Sequence, residues 1–311
     1  MGRRVPLRST SSPSGRRSTS TTAAGCSGRR SIPGSKVAAV ISQNVQFIDV
    51  GQRRVRYLDQ GSGHPLLLCH GFIGSLENFH SWGPAFSGHR RVLIPDLPGC
   101  GETPAGEPPF TVASHAEFLR AFAERLGLGE HDVGGICLGA TVALEYASRV
   151  REQISRLVLH TPIYSPQTLR VAFKRQVHAF TSGPVFWCVD RLRRNRLVSD
   201  LYKRFLVEGP GVDPYDAQVN FENQHRADGR AARQWLRDGI TRDYREFLKG
   251  WRKPALVVVA ADDRTVDVDA IRNLKALMPQ AEIRVIESAG HGWTPTLIAA
   301  QVEAITGFLG R

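Results

Sequence analysis

The stretch Gly135-Ile136-Cys137-Leu138-Gly139 places a nucleophile between two small residues, the composition of a strand-to-helix turn so tight that its central residue is strained. An apolar run over 133–136 precedes it and a helical pattern over 138–150 follows, so Cys137 falls at a helix N-terminus, where partial positive charge favours a thiolate. A thiolate there attacks an activated ester, lactone or thioester and forms a thioester acyl-enzyme. That chemistry needs a base within hydrogen-bond reach and a third group that fixes the base's orientation. Ten histidines compete for the first role. His291 is favoured, because Gly290 and Gly292 on either side let its loop project it toward the turn, and His160, at another strand end, is the best alternative pocket residue. His64, His80, His89, His115, His131, His178 and His225 read as surface or packing residues. The acids available at a strand end include the pair Asp262-Asp263.

These side chains must be carried by elements that bring distant parts of the chain together. Strand patterns at 45–50 and 54–58, separated by Gly51-Gln52, read as an opening hairpin. The apolar run 65–69 reads as a buried central strand that ends at His70-Gly71-Phe72. A helix over 75–86 and a strand over 91–94 follow, then Asp96-Leu97-Pro98-Gly99-Cys100-Gly101, a helix from Thr111 to Leu126, the Cys137 turn and its helix, and a strand over 154–159. Strands at 255–260 and 283–286, with helices over 268–277 and 296–309, close the pattern. The alternation predicts an α/β fold, a mostly parallel sheet with helices on both faces, and each candidate side chain lies just beyond a strand's C-terminal end, where such sheets bind ligands.

Between 162 and 251 the alternation stops. Helical patterns over 169–180, 186–206 and 231–248 appear without a strong strand, so 163–251 is expected to be a helical cap inserted between core segments 41–162 and 252–311. A helical domain unrelated to the site is the alternative. Residues 1–40 are rich in Ser, Arg, Gly, Thr and Pro and are expected to be a disordered basic tail. Its composition resembles an organelle transit peptide, Arg3-Arg4 lacks the apolar stretch of an export signal, and an upstream extension from a misplaced start fits equally well.

Charge is unevenly shared. Eight Lys or Arg and no acid precede Asp49, so the tail holds two-thirds of the net +12 and the remainder gives no strong nucleic-acid signal. A second concentration, Arg191, Arg193, Arg194 and Arg196, reads as a solvated helical face, with docking of an anionic substrate or an acyl carrier as the other reading. No apolar run reaches the eighteen or so residues of a membrane span. Cys26, Cys69, Cys100, Cys137 and Cys188 form no zinc pattern, and their odd number suits a reduced, cytoplasmic setting. No metal, P-loop or dinucleotide motif is present, so no cofactor is expected.

The order of His70-Gly71, the Asp96 turn, the Cys137 pentapeptide, Asp262-Asp263 and Gly290-His291 resembles the α/β-hydrolase superfamily, specifically its capped members, over residues 45–311. The resemblance implies a chain order of nucleophile, acid and histidine, hence Cys137, Asp263 and His291, with Asp263 preferred because such families usually take the second acid of the pair. It also implies an oxyanion hole from the backbone N–H groups of Leu138 and Phe72, worth about 2.7–4 kcal/mol each in the transition state. His70 is expected to position the Phe72 loop or meet substrate, and Trp82 and Trp293 to line the pocket or touch the cap, with core packing as the alternative for both. Cysteine at the turn resembles dienelactone hydrolases and polyhydroxyalkanoate synthases, but the chain lacks the compact layout of the former and the length of the latter. The expected activity is a cysteine-dependent hydrolase of a small-molecule acyl substrate. An acyltransferase or cyclase, served by an acyl carrier protein, uses the same intermediate and is the second reading, and a non-catalytic binding protein of the same fold is the third.

Overall fold

The computed structural model describes Gly2 and residues 43–310; the segment expected to form the basic tail, with Cys26, lies outside the described residues apart from Gly2. Eight strands form one sheet: β1 (Val45–Val50), β2 (Arg53–Gln60), β3 (Pro65–Cys69), β4 (Arg91–Pro95), β5 (His131–Ile136), β6 (Ile154–His160), β7 (Ala255–Ala260) and β8 (Glu282–Ile286). Their spatial order is β1-β2-β4-β3-β5-β6-β7-β8, antiparallel at β1/β2 and β2/β4 and parallel from β4 onward. The fold class is the expected one.

The apolar runs follow from burial on both faces. In β3, Leu67 and Cys69 face one core with Leu93, Val133 and Leu157, while Leu66 and Leu68 face a second core with Val92, Ile94 and Val158. Helices α2 (Val112–Arg125) and α3 (Leu138–Arg149) cover the first face through residues such as Phe122 and Leu144; α1 (Trp82–Phe86) and the closing helix cover the second through Trp82, Phe86, Ile305 and Phe308. The helix expected over 75–86 is a 3-10 turn, Leu76–Phe79, and the short α1. Pro84 has no N–H and its ring clashes with the carbonyl four residues back, so a continuous helix through His80 is not available.

Between β6 and β7 lie α4 (Val171–Phe180), α5 (Gly183–Leu192), α6 (Arg196–Tyr202), a π-helical turn (Lys203–Val207), α7 (Pro214–Arg226), α8 (Gly229–Gly239) and α9 (Arg245–Lys249). The pattern expected as one helix over 186–206 is broken at Asn195, whose side chain accepts from Val198 N and starts a new helix. After β7 come α10 (Val268–Arg272) and α11 (Leu274–Leu277), and after β8 α12 (Pro295–Leu309). No helix of the described residues is long and apolar enough to cross a membrane.

A buried ion network holds the start of the fold in register. Arg56 on β2, 7% exposed, donates to Asp96 Oδ2 at 3.1 Å and pairs with Glu77. The other Asp96 oxygen accepts from Leu76 N at 2.8 Å, and Oδ2 also accepts from Glu102 N at 2.9 Å. Gly101 has φ +54, and a Cβ there would stand 2.1 Å from Asp96 Oδ2, so the turn wraps its own carboxylate. Burial pushes that carboxyl up to about 6 although Arg56 pulls it down. Asp96→Ala leaves Arg56 without this partner and should destabilise the fold by about 3–5 kcal/mol. Glu117→Ala, at an exposed pair with Arg120, should stay within about 0.5 kcal/mol. Urea unfolding measures both, and equal small losses would refute the network's role.

Candidate active site

Cys137 joins β5 to α3 with φ 52° and ψ −118°, a left-handed conformation unusual for a residue with a Cβ. Its neighbours make the turn possible. A Cβ on Gly135 would stand 2.6 Å from the Gly139 carbonyl, and one on Gly139 only 2.2 Å from the His70 carbonyl oxygen. Cys137 N donates to His160 O at 2.9 Å, tying the turn to the end of β6. The amides of Leu138 and the residues after it open α3, where a helix leaves its first N–H groups without intrahelical partners. Gly71 passes close by, since a Cβ there would lie 3.6 Å from Cys137 Cβ, and this brings the Phe72 segment beside the thiol.

Asp263 follows β7 and His291 follows β8. Asp263 is 1% exposed, whereas Asp262 is exposed. Its Oδ1 accepts from Thr265 N at 2.7 Å, Thr265 Oγ1 at 2.7 Å and Val266 N at 2.9 Å, and its Oδ2 accepts from His291 Nδ1 at 2.8 Å. Burial works against the Asp263 charge, yet His291 and these donors hold the carboxyl at about 2. Burial likewise works against the charge on His291, but attraction to Asp263 and their hydrogen bond, with a further pull from the neighbouring Cys137, raise its pKa well above the ordinary imidazole value. Asp263 and His291 therefore form a hydrogen-bonded pair, and His291 shares a cavity wall with Cys137.

Cys137 and His291 open into a cavity of about 460 Å³. Cys137, His291, Phe72, His160 and Trp293 line it, as do Phe173, Val177 and Phe186 from the helices between β6 and β7. His160 is buried with neither ring nitrogen hydrogen-bonded; burial, helped by the charge on His291, pushes its pKa down to about 3 and keeps it neutral. Two expected pocket residues are not on the wall. His70 is fully buried, its Nε2 accepting from Leu97 N at 2.9 Å and its Nδ1 donating to Gly71 O at 2.9 Å, so both nitrogens are spent on holding the loops together. Burial pushes it down to about 4. Trp82 is fully buried against Phe79, Phe86 and Trp293, which makes it core packing. Cys69 and Cys100 are buried too, and burial pushes both thiols up.

Sequence reading missed Thr265 and Glu208. Thr265 donates to Asp263 and lies 3.0 Å from His291 Nδ1; its signal was the Asp-x-Thr spacing of an Asx-turn. Glu208, on the cavity wall, accepts through its backbone oxygen from Gly292 N at 3.1 Å and fixes the His291 loop from outside the core. Nothing local marks that contact. Among the described residues no group of three or more His, Cys, Asp or Glu converges as a metal site.

Residues 64–292 match the family model of the alpha/beta hydrolase fold. The chain belongs to the α/β-hydrolase family. This α/β hydrolase is 25% identical to Lipase 1 of Psychrobacter immobilis over 252 residues, 76% of this chain and 74% of the relative. It is 27% identical to the dihydrolipoyllysine-residue acetyltransferase component of the acetoin cleaving system of Pseudomonas putida over 261 residues, 79% of this chain but only 64% of that relative's length. The crystal structure of a putative lipase from Acinetobacter baumannii AYE superposes with a TM-score of 0.72 at 22% identity, covering 88% of this chain and 95% of that one, which shows a shared fold.

The His291–Asp263 pair carries a pH signature. Asp263 has a folded value below its unfolded one, so its contribution is present above about pH 4 and is lost as pH falls toward 2; it amounts to about 2 kcal/mol. His291 has a raised folded value, so its contribution is fully present below about pH 6.5 and is lost as pH rises from there through the raised folded value. The stability gap between wild type and Asp263→Asn should therefore be widest between about pH 4 and 6.5 and narrow on both sides, as read by thermal melts across pH. A gap independent of pH would contradict the ion pair.

Proposed function

We propose that this α/β hydrolase cleaves an ester, lactone or thioester of a small-molecule acyl substrate, with Cys137 as nucleophile, His291 as base and acid, and Asp263 as the group that orients His291. The observation that carries the reading is the hydrogen-bonded pair His291–Asp263 set against Cys137 at the wall of an apolar cavity. In acylation the Cys137 thiolate, formed as its proton passes to His291 Nε2, bonds to the substrate carbonyl carbon. The carbonyl oxygen takes the electron pair and is held by the amides of Phe72 and Leu138. The carbonyl reforms, the bond to the leaving alkoxide or thiolate breaks, and His291 returns the proton to that group. Water then gives its proton to His291, adds to the thioester, and releases the acid and the Cys137 thiolate. Neutral His160 is a substrate hydrogen-bonding group and Trp293 an apolar contact. The helices between β6 and β7, within 163–251, act as the cap.

Acyl transfer is the second reading, favoured by the largely apolar side chains that line the cavity. A thioester intermediate passes its acyl group to amines and thiols, and a carrier-bound thioester would be one donor. The reduced thiols fit a cytoplasmic setting.

Turnover of a panel of short- and medium-chain acyl esters and thioesters, with and without an added amine or alcohol, tests both readings. Cys137→Ala should lower kcat/KM by about 10³-fold or more. Acid as sole product supports hydrolysis, whereas acylated acceptor in preference to acid supports transfer. Turnover undiminished in Cys137→Ala would overturn the assignment.

A further inference from the structure

Ten large apolar side chains are exposed among the described residues, and nine of them lie within 171–206, on α4, α5, α6 and the π turn. Trp187 is 62% exposed, Leu197 68% and Phe205 63%. Leu197 and Leu201 stand one turn apart on α6, and Phe205 and Leu206 follow. A monomer rarely leaves so much apolar side chain in water without a partner. The same stretch, 171–207, holds eight Lys or Arg against two Asp or Glu. Arg175, Arg191, Arg194, Arg196 and Arg204 are exposed, and Arg175, Arg191 and Arg204 make no ion pair among the described residues. The surface also connects with the interior: Leu192, 50% exposed, and Val198, 38% exposed, both line the cavity that holds Cys137.

We propose that the face formed by α4, α5, α6 and the π turn docks on an anionic phospholipid surface, with Trp187, Leu197, Leu201 and Phe205 in the interface and the arginines against lipid phosphates. Helices that put Trp, Phe and Leu beside Arg, with too little apolar length to span, lie in the plane of a membrane interface. Charge selects this occupant over others. The segment before Asp49 carries eight basic residues and no acid, so it matches the arginines in sign. A second copy in a symmetric contact would bring the same arginines together. An acidic carrier protein complements the charge, but it does not account for apolar side chains spread along three helices and the π turn. Docking would set the apolar route past Leu192 and Val198 against the acyl region of the bilayer.

The proposal is read by binding alone and does not depend on the chemistry at Cys137. Flotation of the full chain with vesicles of phosphatidylglycerol and phosphatidylcholine, against phosphatidylcholine alone, is the test. Binding should require the anionic lipid and weaken with salt. The triple variant Arg175→Gln, Arg191→Gln, Arg204→Gln should lower partitioning roughly a hundredfold, from about fivefold for each arginine near an anionic surface. The double variant Trp187→Ser, Phe205→Ser, which leaves the cavity wall untouched, should weaken it independently. Vesicle binding that survives both variants would place it on the basic residues before Asp49 and overturn the proposal. So would absence of vesicle binding, whether the protein instead dimerises in a Trp187-dependent way or captures an acidic acyl carrier.

Discussion

The left-handed turn at Cys137 is the constraint on which the rest of the structure depends. It exists only because Gly135 and Gly139 let β5, α3 and the His70 carbonyl approach to distances that a Cβ would forbid. That closeness sets several things at once. It packs α3 against the end of β3, brings the Phe72 segment beside the thiol, and aims the opening of α3 at the space above the sheet. The backbone strain, of order 1–3 kcal/mol at such a residue, is sustained by a core buried on both faces. Local conformation, packing and the placement of the Cys137 thiol are one arrangement.

Around that turn the polar groups divide the work by burial. Asp263 is saturated by four hydrogen bonds and stays charged in a buried place. His70 has both nitrogens occupied and is neutral, and so serves as a structural tie. His160 is equally buried but has no partner for either nitrogen, and of the two it is the one on the cavity wall. The two buried imidazole rings thus differ in role, set by what each nitrogen meets.

Much of this was legible in the sequence, for identifiable reasons. The sheet was readable because β3, β4 and β7 are buried on both sides and read as nearly continuous apolar runs. The turn was readable because its two glycines answer a steric demand that few other residues meet. Whether His70 and Trp82 reach the cavity was not, since which side chains at strand ends face it depends on loop packing that local pattern does not encode. Helix α7 escaped notice because its buried positions include Asp216 and Asn223, so it shows no apolar stripe. Which apolar side chains over 171–206 stay exposed was not readable, because periodicity reports amphipathicity and not which partner satisfies it.

The central claim is that Cys137 carries the acyl group. Intact-protein mass spectrometry of samples quenched within the first turnover with an acyl thioester tests it most directly. The account predicts a mass increase equal to the acyl group on wild type, mapped to Cys137, absent from Cys137→Ala, and formed more slowly in His291→Ala. An acyl adduct that forms at the same rate in Cys137→Ala, or that maps to another side chain during turnover, would contradict it.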